Sequence, residues 1–155
     1  MVFDDVVAEI SRSRIVLASL PAVWDVLADF GALSSWAPNA DHSCILNHGP
    51  DGAPLGTTRR VQIGRNALVE RITEFEPRTA LAYAIEGLPT RLRAVSNRWT
   101  LRADGEHTGV TLTSRVVIGS GPLARAAEWV VCRVMAKQSD SMLTGLARRT
   151  EYPHA

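Results

Sequence analysis

The last part of the sequence is a long segment without an internal proline, and no other feature constrains the fold as strongly. Gly121 and Pro122 form a typical helix start, and the next proline is Pro153. These residues predict one helix over residues 122–149, about 42 Å long at a rise of 1.5 Å per residue. A helix of this length needs a large surface to pack against.

Apolar residues recur along this segment with helical spacing. They fall within one broad stripe, made of Leu123, Ala127, Val130, Val131, Val134, Met135, Met142 and Leu146. Gln138 falls near the centre of the stripe, where a buried amide requires hydrogen-bond partners. Two interpretations stay open. Either a strand carbonyl or water at a loose end of the core satisfies Gln138, or the helix covers a cavity and Gln138 orients a ligand inside it.

Composition and charge limit the class of protein. The chain has 155 residues, of which 46% are hydrophobic and 21% charged, and we expect a single domain over residues 1–155. Its net charge of +1 gives no electrostatic reason to expect nucleic acid or an anionic membrane as a partner. The sequence has no secretory signal pattern and no apolar run of the ~20 residues that cross a bilayer. We therefore expect a cytoplasmic protein without an integral membrane segment.

The cysteines and histidines show no spacing typical of a metal site. Cys44 and Cys132 are also too few for a disulfide framework, which favours a reduced, intracellular protein. The sequence contains no glycine-rich phosphate loop and no serine or cysteine nucleophile motif. We therefore predict no metal and no cofactor.

Before the long helix, the pattern is that of short strands. A strand over residues 10–18 leads into two short helices, one starting at Ser19-Leu20-Pro21 and one running from Ala32 to Trp36. The six strands that follow are predicted at 42–48, 57–63, 67–76, 80–86, 93–102 and 107–118. Because no helix separates these six strands, we expect antiparallel hairpins. The order β-α-α-β6-α predicts an α+β fold in which a curved sheet holds the long helix in its concave side.

Alternate residues of the strands are predicted to face the helix. Taking the more apolar set of each strand gives Arg59, Val61, Ile63, Leu68, Glu70, Ile72, Leu81, Tyr83, Ile85, Val95, Asn97, Trp99, Leu101, Val110, Leu112, Ser114, Val116 and Ile118. Most of these side chains are aliphatic, but several are polar, and Gln138 adds another from the helix. A dry core holds few such groups, so the pattern predicts a hollow between sheet and helix.

Several of these residues have both a structural and a functional interpretation. Arg59 and Glu70 lie on neighbouring strands, within reach of an ion pair that either closes the edge of the core or meets the polar end of a ligand. Tyr83 is either an ordinary half-buried strand tyrosine or a ligand contact, whereas Trp99 is expected chiefly in the core. Trp129 falls outside the apolar stripe and is predicted to cover a strand edge or to contact a second subunit in a homodimer.

Short sequence phrases, taken in their order and spacing, resemble a known superfamily. The phrases are Pro21-Ala22-Val23-Trp24-Asp25-Val26-Leu27-Ala28-Asp29-Phe30, Trp36-Ala37-Pro38, Leu55-Gly56-Thr57-Thr58-Arg59, Glu70-Arg71-Ile72, Gly87-Leu88-Pro89 and Gly121-Pro122-Leu123. Over nearly its whole length the chain resembles the SRPBCC superfamily of Bet v 1-like and START-like helix-grip proteins. This superfamily includes START lipid-transfer domains, polyketide cyclases and dehydratases, and plant abscisic acid receptors. The chain is most similar to the compact bacterial members described as polyketide cyclase/dehydratase-like or lipid-transport-like.

The resemblance implies seven antiparallel strands around the C-terminal helix, with a cavity for a hydrophobic or amphipathic small molecule. In the abscisic acid receptors, the pocket is lined at positions that match Val61, Ile63, Glu70, Tyr83, Ile85, Val134 and Gln138. Two departures argue against hormone reception: Pro38 falls near the place of the receptors' lysine, and Ile63-Gly64-Arg65-Asn66 replaces their gate loop. The turn with Arg91 and Arg93 takes the place of a loop at the cavity mouth. It is either a solvated hairpin tip or a lid whose arginines attract an anionic head group.

Three functional interpretations follow. The first is a non-catalytic binding or transport protein for a lipid or polyketide-like molecule. The second is a polyketide cyclase or dehydratase with Glu70, Tyr83 and Arg59 as candidate acid-base groups. The third is a regulatory or structural protein with a filled interior. The predicted ligand contacts are Arg59, Val61, Ile63, Glu70, Tyr83, Ile85, Asn97, Trp99, Ser114, Val134, Gln138 and Arg91.

Overall fold

The computed structural model describes residues 5–88 and 92–152, and its framework is one antiparallel sheet of seven strands. The strands are β1 (Val6–Val16), β2 (His42–Asn47), β3 (Thr58–Ile63), β4 (Asn66–Glu76), β5 (Ala80–Glu86), β6 (Ala94–Asp104) and β7 (His107–Gly119). Their order in the sheet is β1-β7-β6-β5-β4-β3-β2. The six strands from β2 to β7 therefore form a meander of hairpins, and β1 returns to pair with the last of them.

In the part of the chain that the structure describes, two α-helices accompany the sheet. Helix α1 spans Leu20–Ala28, where the Ser19 hydroxyl accepts a hydrogen bond from the Ala22 amide, and a 3-10 segment follows over Phe30–Ser35. Helix α2 spans Pro122–Glu151 and packs mainly against β1 and β7. The predicted α+β helix-grip fold is confirmed.

Element boundaries differ from the prediction in places. β1 begins at Val6 and not at residue 10, since its first residues pair with the end of β7. The second short helix is a 3-10 segment that begins at Phe30. Helix α2 continues two residues beyond the predicted end, to Glu151.

Helix α2 turns a different face to the sheet from the one that the apolar stripe predicted. Its buried residues are Ala124, Met135, Ser139, Met142, Leu143, Gly145, Leu146 and Ala147. Leu123 is 87% exposed, and Val130 and Val134 are 53% and 54% exposed, so their predicted burial was wrong. Residues 142–147 of α2 pack on a dense core with Trp36 and Trp99. Its first half covers only a small cluster that includes Met135, which leaves apolar side chains beside a hollow.

Gly145 marks the closest approach between α2 and the rest of the molecule. An added Cβ at this position would lie 2.2 Å from the carbonyl oxygen of Trp36 and 2.7 Å from Cδ of Pro38. Only glycine therefore allows the helix to cross the Trp36–Pro38 segment at this distance.

Candidate functional site

A cavity of about 520 Å³ lies between the sheet and α2. The sheet supplies one wall, which we call the floor, from strands β3 to β7. Helix α2 and the loop before β2 supply the opposite wall, which we call the roof. Most of the lining is aliphatic, and residues not among the predicted ligand contacts include Leu33, Leu68, Val95, Leu112, Val116 and Met142. A volume of this size lies within the range of small-molecule pockets, about 300–1,000 Å³.

A buried ion pair supports one end of the floor. Arg59 donates from Nε and Nη2 to Oε1 of Glu70, at 2.8 and 2.7 Å, and from Nη1 to the carbonyl oxygen of Phe30 at 2.8 Å. The guanidinium carbon lies 3.8 Å from the ring centroid of Phe30 and 4.7 Å from that of Tyr83. The side chains of Arg59 and Glu70 are 3% and 7% exposed. Aromatic faces and hydrogen bonds thus replace the water that the arginine loses on burial.

A chain of hydrogen bonds crosses the floor from β5 to β7. The Tyr83 hydroxyl accepts from Nε1 of Trp99 and from Nδ2 of Asn97, both at 3.4 Å. Asn97 Oδ1 in turn accepts from the Ser114 hydroxyl at 2.5 Å. These donors occupy both acceptor positions of the Tyr83 oxygen, so its own proton remains as the group that can meet a ligand.

The environment keeps Tyr83 protonated. Burial raises the pKa of Tyr83 above its ordinary value of 10.0, and the negative charge of Glu70 raises it further. Tyr83 is therefore a hydrogen-bond donor at neutral pH and not a base.

The roof carries its own polar pair, which differs from the sequence prediction. Gln138 was expected on the buried face of α2, but it is exposed and lies at the edge of the cavity. Its Oε1 atom accepts a hydrogen bond of 2.7 Å from Nδ2 of Asn39, in the loop before β2. Gln138 therefore finds its partner in a loop, and neither a strand carbonyl nor the core supplies it.

Apolar side chains surround the opening of the cavity. Val130 and Val134 of α2 line the cavity and are also more than half exposed, which places them at the mouth. Leu88 and Leu92, which follow β5 and precede β6, line the cavity and are partly exposed. A hydrophobic molecule entering here meets apolar contacts before it reaches the polar groups inside.

Most of the predicted ligand contacts lie on the cavity wall. Those on the wall are Val61, Ile63, Glu70, Tyr83, Ile85, Asn97, Ser114, Val134 and Gln138. Arg59 does not line the cavity, because its guanidinium is held behind Glu70 between Phe30 and Tyr83. Trp99 also lies behind the wall, 1% exposed, and is a core residue. These two placements correct the sequence prediction.

Two further predictions concern the surface. Arg91 lies outside the described residues, and Arg93 pairs with Asp5 at 2.9 Å. Trp129 is 65% exposed, with the guanidinium carbon of Arg133 4.8 Å from its ring centroid. Its part at a strand edge or in a homodimer stays a prediction.

Sequence reasoning missed two polar residues of the roof, Asn39 and Ser139. Ser139 is 2% exposed and lines the cavity, four residues after Met135 and three before Met142. This spacing places it on the same helix face as both methionines, which was the available signal. Asn39 sits in a loop after Pro38, where no periodicity indicates a direction.

Within residues 5–88 and 92–152, no three His, Cys, Asp or Glu side chains are grouped to hold a metal ion. In the same part of the chain, no helix combines the length and the apolar character needed to cross a bilayer.

Comparison with known proteins places the chain in a family. The fold is similar to that of the Zhui aromatase/cyclase from Streptomyces sp. R1128, with 20% identity over 97% of this chain and 99% of that chain and a TM-score of 0.77. A START superfamily protein from Mycobacterium smegmatis gives 17% identity, coverage of 92% and 97%, and a TM-score of 0.74. Norcoclaurine synthase from Thalictrum flavum, solved as a point mutant with a transition state analogue, gives 13% identity, coverage of 98% and 99%, and a TM-score of 0.74.

At these identities the solved structures establish a shared fold. No curated protein matches the sequence significantly. Residues 7–151 match the family described as polyketide cyclase / dehydrase and lipid transport. Since the match spans nearly the whole sequence, the chain belongs to the polyketide cyclase / dehydrase and lipid transport family.

Proposed function

We propose that the protein binds one hydrophobic or amphipathic small molecule, lipid-like or polyketide-like, in the cavity under α2. The observation that carries the proposal is the cavity itself, about 520 Å³ with mostly aliphatic walls and few polar groups. Burial of apolar ligand surface in such a site contributes roughly 25 cal/mol per Å². The third interpretation, a filled interior, does not agree with a hollow of this size.

The polar groups of the floor support an amphipathic ligand over a pure hydrocarbon. Tyr83 presents a proton, and Glu70 presents a carboxylate that Arg59 holds in place. A carbonyl or hydroxyl oxygen of the ligand would accept from Tyr83. Leaving such a buried group without a partner costs about 1–3 kcal/mol, which disfavours a ligand with no polar atom there.

Binding should depend on an open mouth, and Val134 offers a way to close it. We expect Val134→Trp to weaken binding of the fluorescent probe 1-methoxypyrene about tenfold or more, because the indole would occupy the entrance. Val134 is 54% exposed, so the larger side chain need not strain the core. Fluorescence titration measures the effect.

The matched control is Lys137→Trp, an exposed position on the same helix outside the cavity wall. It adds the same indole without blocking the mouth, and affinity should stay near that of the wild type. Native mass spectrometry of gently purified protein complements the titration. Failure to bind the probe, together with no retained molecule after incubation with lipid extract, would contradict the proposed function.

A cyclase or dehydratase reaction is the second candidate, and the placement of Tyr83 and Glu70 on one wall favours it. The Tyr83 hydroxyl would donate to a ketone oxygen, while the Glu70 carboxylate takes a proton from the adjacent carbon to give an enol-type intermediate. Arg59 positions Glu70 and does not touch the substrate.

Turnover of an aromatic-polyketide precursor separates the two candidates. If the protein is such an enzyme, Tyr83→Phe should lower kcat by about 10²-fold or more and Glu70→Gln should abolish turnover, measured under conditions in which circular dichroism shows both variants folded. Product formation is followed by chromatography. Equal turnover in the wild type and both variants would contradict this mechanism. If none of the three proteins converts the precursor, the cyclase candidate is rejected and the proposed function is binding alone.

We also propose that the protein works in the cytoplasm. Cys44 is exposed and Cys132 partly exposed, and both are free thiols, which supports a reducing compartment.

A further inference from the structure

Exposed apolar side chains are concentrated on the first half of α2. Leu123, Trp129, Val130 and Val134 are 87%, 65%, 53% and 54% exposed. Leu123, Val130 and Val134 are spaced by one or two helical turns, so they form one row along the helix, which we call the rim row. Val130 and Val134 of this row also line the cavity. Exposed apolar side chains that cluster beside an entrance are typical of an interaction site.

The charges next to the rim row are positive. Arg133 follows Trp129 by one helical turn and Lys137 follows Arg133 by another, which places these three residues in a second row beside the first, which we call the basic row. Arg133 and Lys137 are exposed and form no ion pair within residues 5–88 and 92–152. The acid of this part of the helix, Glu128, is partly buried one turn after Ala124, on the side of the sheet. The net charge of +1 hides this local excess of positive charge.

The other side of the entrance has a similar character. Leu88 and Leu92 line the cavity there and are partly exposed. The hairpin between β3 and β4 also reaches the cavity and exposes Arg65 at its tip. The acid beside this hairpin, Asp41, accepts a hydrogen bond of 2.7 Å from the Gly64 amide. Basic side chains therefore flank an apolar entrance on two sides.

We propose that the rim row and the basic row dock on the surface of an anionic lipid bilayer, with the cavity entrance facing the lipid. The rim row enters the boundary between head groups and acyl chains, while Trp129 stays at the level of the head groups and the two cations contact lipid phosphates. The inference concerns the outer surface of the protein and goes beyond the proposed function. A hydrophobic molecule would then pass between bilayer and cavity without crossing water.

Charge argues for lipid over a second copy of the chain. In a symmetric dimer through this face, Arg133 and Lys137 of both copies would meet around the twofold axis, and neither row contains an acid to pair them. A bilayer that contains phosphatidylglycerol supplies the opposite charge. Each lysine or arginine near such a surface strengthens binding about fivefold.

Trp129 provides a probe of this contact in the unmodified protein. The other tryptophans, Trp24, Trp36 and Trp99, are buried, so a change in emission on adding vesicles reports on Trp129. Vesicles of an equimolar mixture of phosphatidylcholine and phosphatidylglycerol should shift the emission to shorter wavelength and protect Trp129 from quenching by acrylamide. Binding to vesicles of phosphatidylcholine alone should be weaker by about tenfold or more, as measured by co-flotation.

Loss of the two cations tests the basic row. Arg133→Gln combined with Lys137→Gln should lower binding to the mixed vesicles by about tenfold or more. The matched control is Arg78→Gln combined with Arg102→Gln, which removes the same charge from two exposed positions. Arg78 lies in the turn between β4 and β5, at the end of the sheet away from the entrance, and Arg102 lies near the same end of β6. The control should bind nearly as well as the wild type.

A new carboxylate tests the rim row. Leu123→Glu should lower vesicle binding by about tenfold or more, because the carboxylate must stay out of the lipid boundary. Leu123 is 87% exposed and does not line the cavity, so the protein should fold normally, which circular dichroism verifies. Leu55→Glu is the matched control. Leu55 is 53% exposed and precedes β3, at the end of that strand opposite the hairpin with Arg65, and its variant should bind nearly as well as the wild type.

The outcomes distinguish lipid from the alternatives. Failure of the wild type to bind the mixed vesicles at low salt overturns the inference, and so does equal binding to both vesicle compositions. Loss of binding in the controls to the same extent as in the test variants also overturns it. A dimer in light scattering that Leu123→Glu dissociates would show that a second copy covers this face, and the inference would be wrong. Titration with 1-methoxypyrene needs no vesicles, so the proposed function is tested separately.

Discussion

Replacing Gly145 with alanine is expected to lower the free energy of unfolding by about 3 kcal/mol. In most helix interiors the same change is stabilising by about 1 kcal/mol, because alanine has the higher helix propensity. Here the new methyl group would lie 2.2 Å from the Trp36 carbonyl oxygen, a backbone atom that cannot rotate away. Relieving this contact requires α2 to move off the core, and overpacking of this kind costs more than the gain in propensity.

Urea denaturation followed by circular dichroism measures the change. Ser141→Ala is the control, because it lies one turn earlier on α2 and also raises helix propensity without a known clash. We expect little change or slight stabilisation from the control. Stabilisation of the protein by Gly145→Ala would show that α2 does not approach the Trp36–Pro38 segment so closely.

Removing the carboxylate of Glu70 is expected to destabilise the protein by about 3–5 kcal/mol. Glu70→Leu leaves the guanidinium of Arg59 buried without its counter-charge, and the loss of one partner from a buried ion pair has effects of this size. Arg59→Met should be similarly damaging, because it leaves Glu70 and the Phe30 carbonyl oxygen without their donor. Both effects are measured by denaturant unfolding.

The double variant Arg59→Met with Glu70→Leu provides the control. It removes both charges, and it should be more stable than either single variant. If the destabilisation of the double variant equalled the sum of the two single destabilisations, the two charges would not interact. That result would contradict the buried pair seen in the structure.

Strand periodicity predicted the floor of the cavity well, for a physical reason. Side chains alternate strictly along a pleated strand, so once the apolar set is recognised, Val61, Glu70, Tyr83 and Asn97 must face the same side. The ion pair followed from the same rule, because Arg59 and Glu70 are direct cross-strand partners in the register. A side chain on a strand can point to only one of the two sides of the sheet, and the positions of the apolar residues show which side faces the core.

Helix periodicity was less decisive for the roof. A wide apolar arc does not say which part contacts a packed core and which part faces a hollow, so Val134 and Gln138 were placed deeper than they are. Gly145 carries no side chain and therefore no hydrophobic signal. Asn39 lies in a loop, and its direction depends on a partner 99 positions away in the sequence.

The pairing of β1 with β7 has a consequence for how the chain is made. Val6 lies opposite Gly119, and Val16 lies opposite Thr108, so the first strand has no partner until nearly the whole sheet has left the ribosome. Such distant pairings close slowly, because the loop between them must first lose its freedom. During synthesis the meander from β2 to β7 can form first, and β1 completes the sheet only after β7 has emerged.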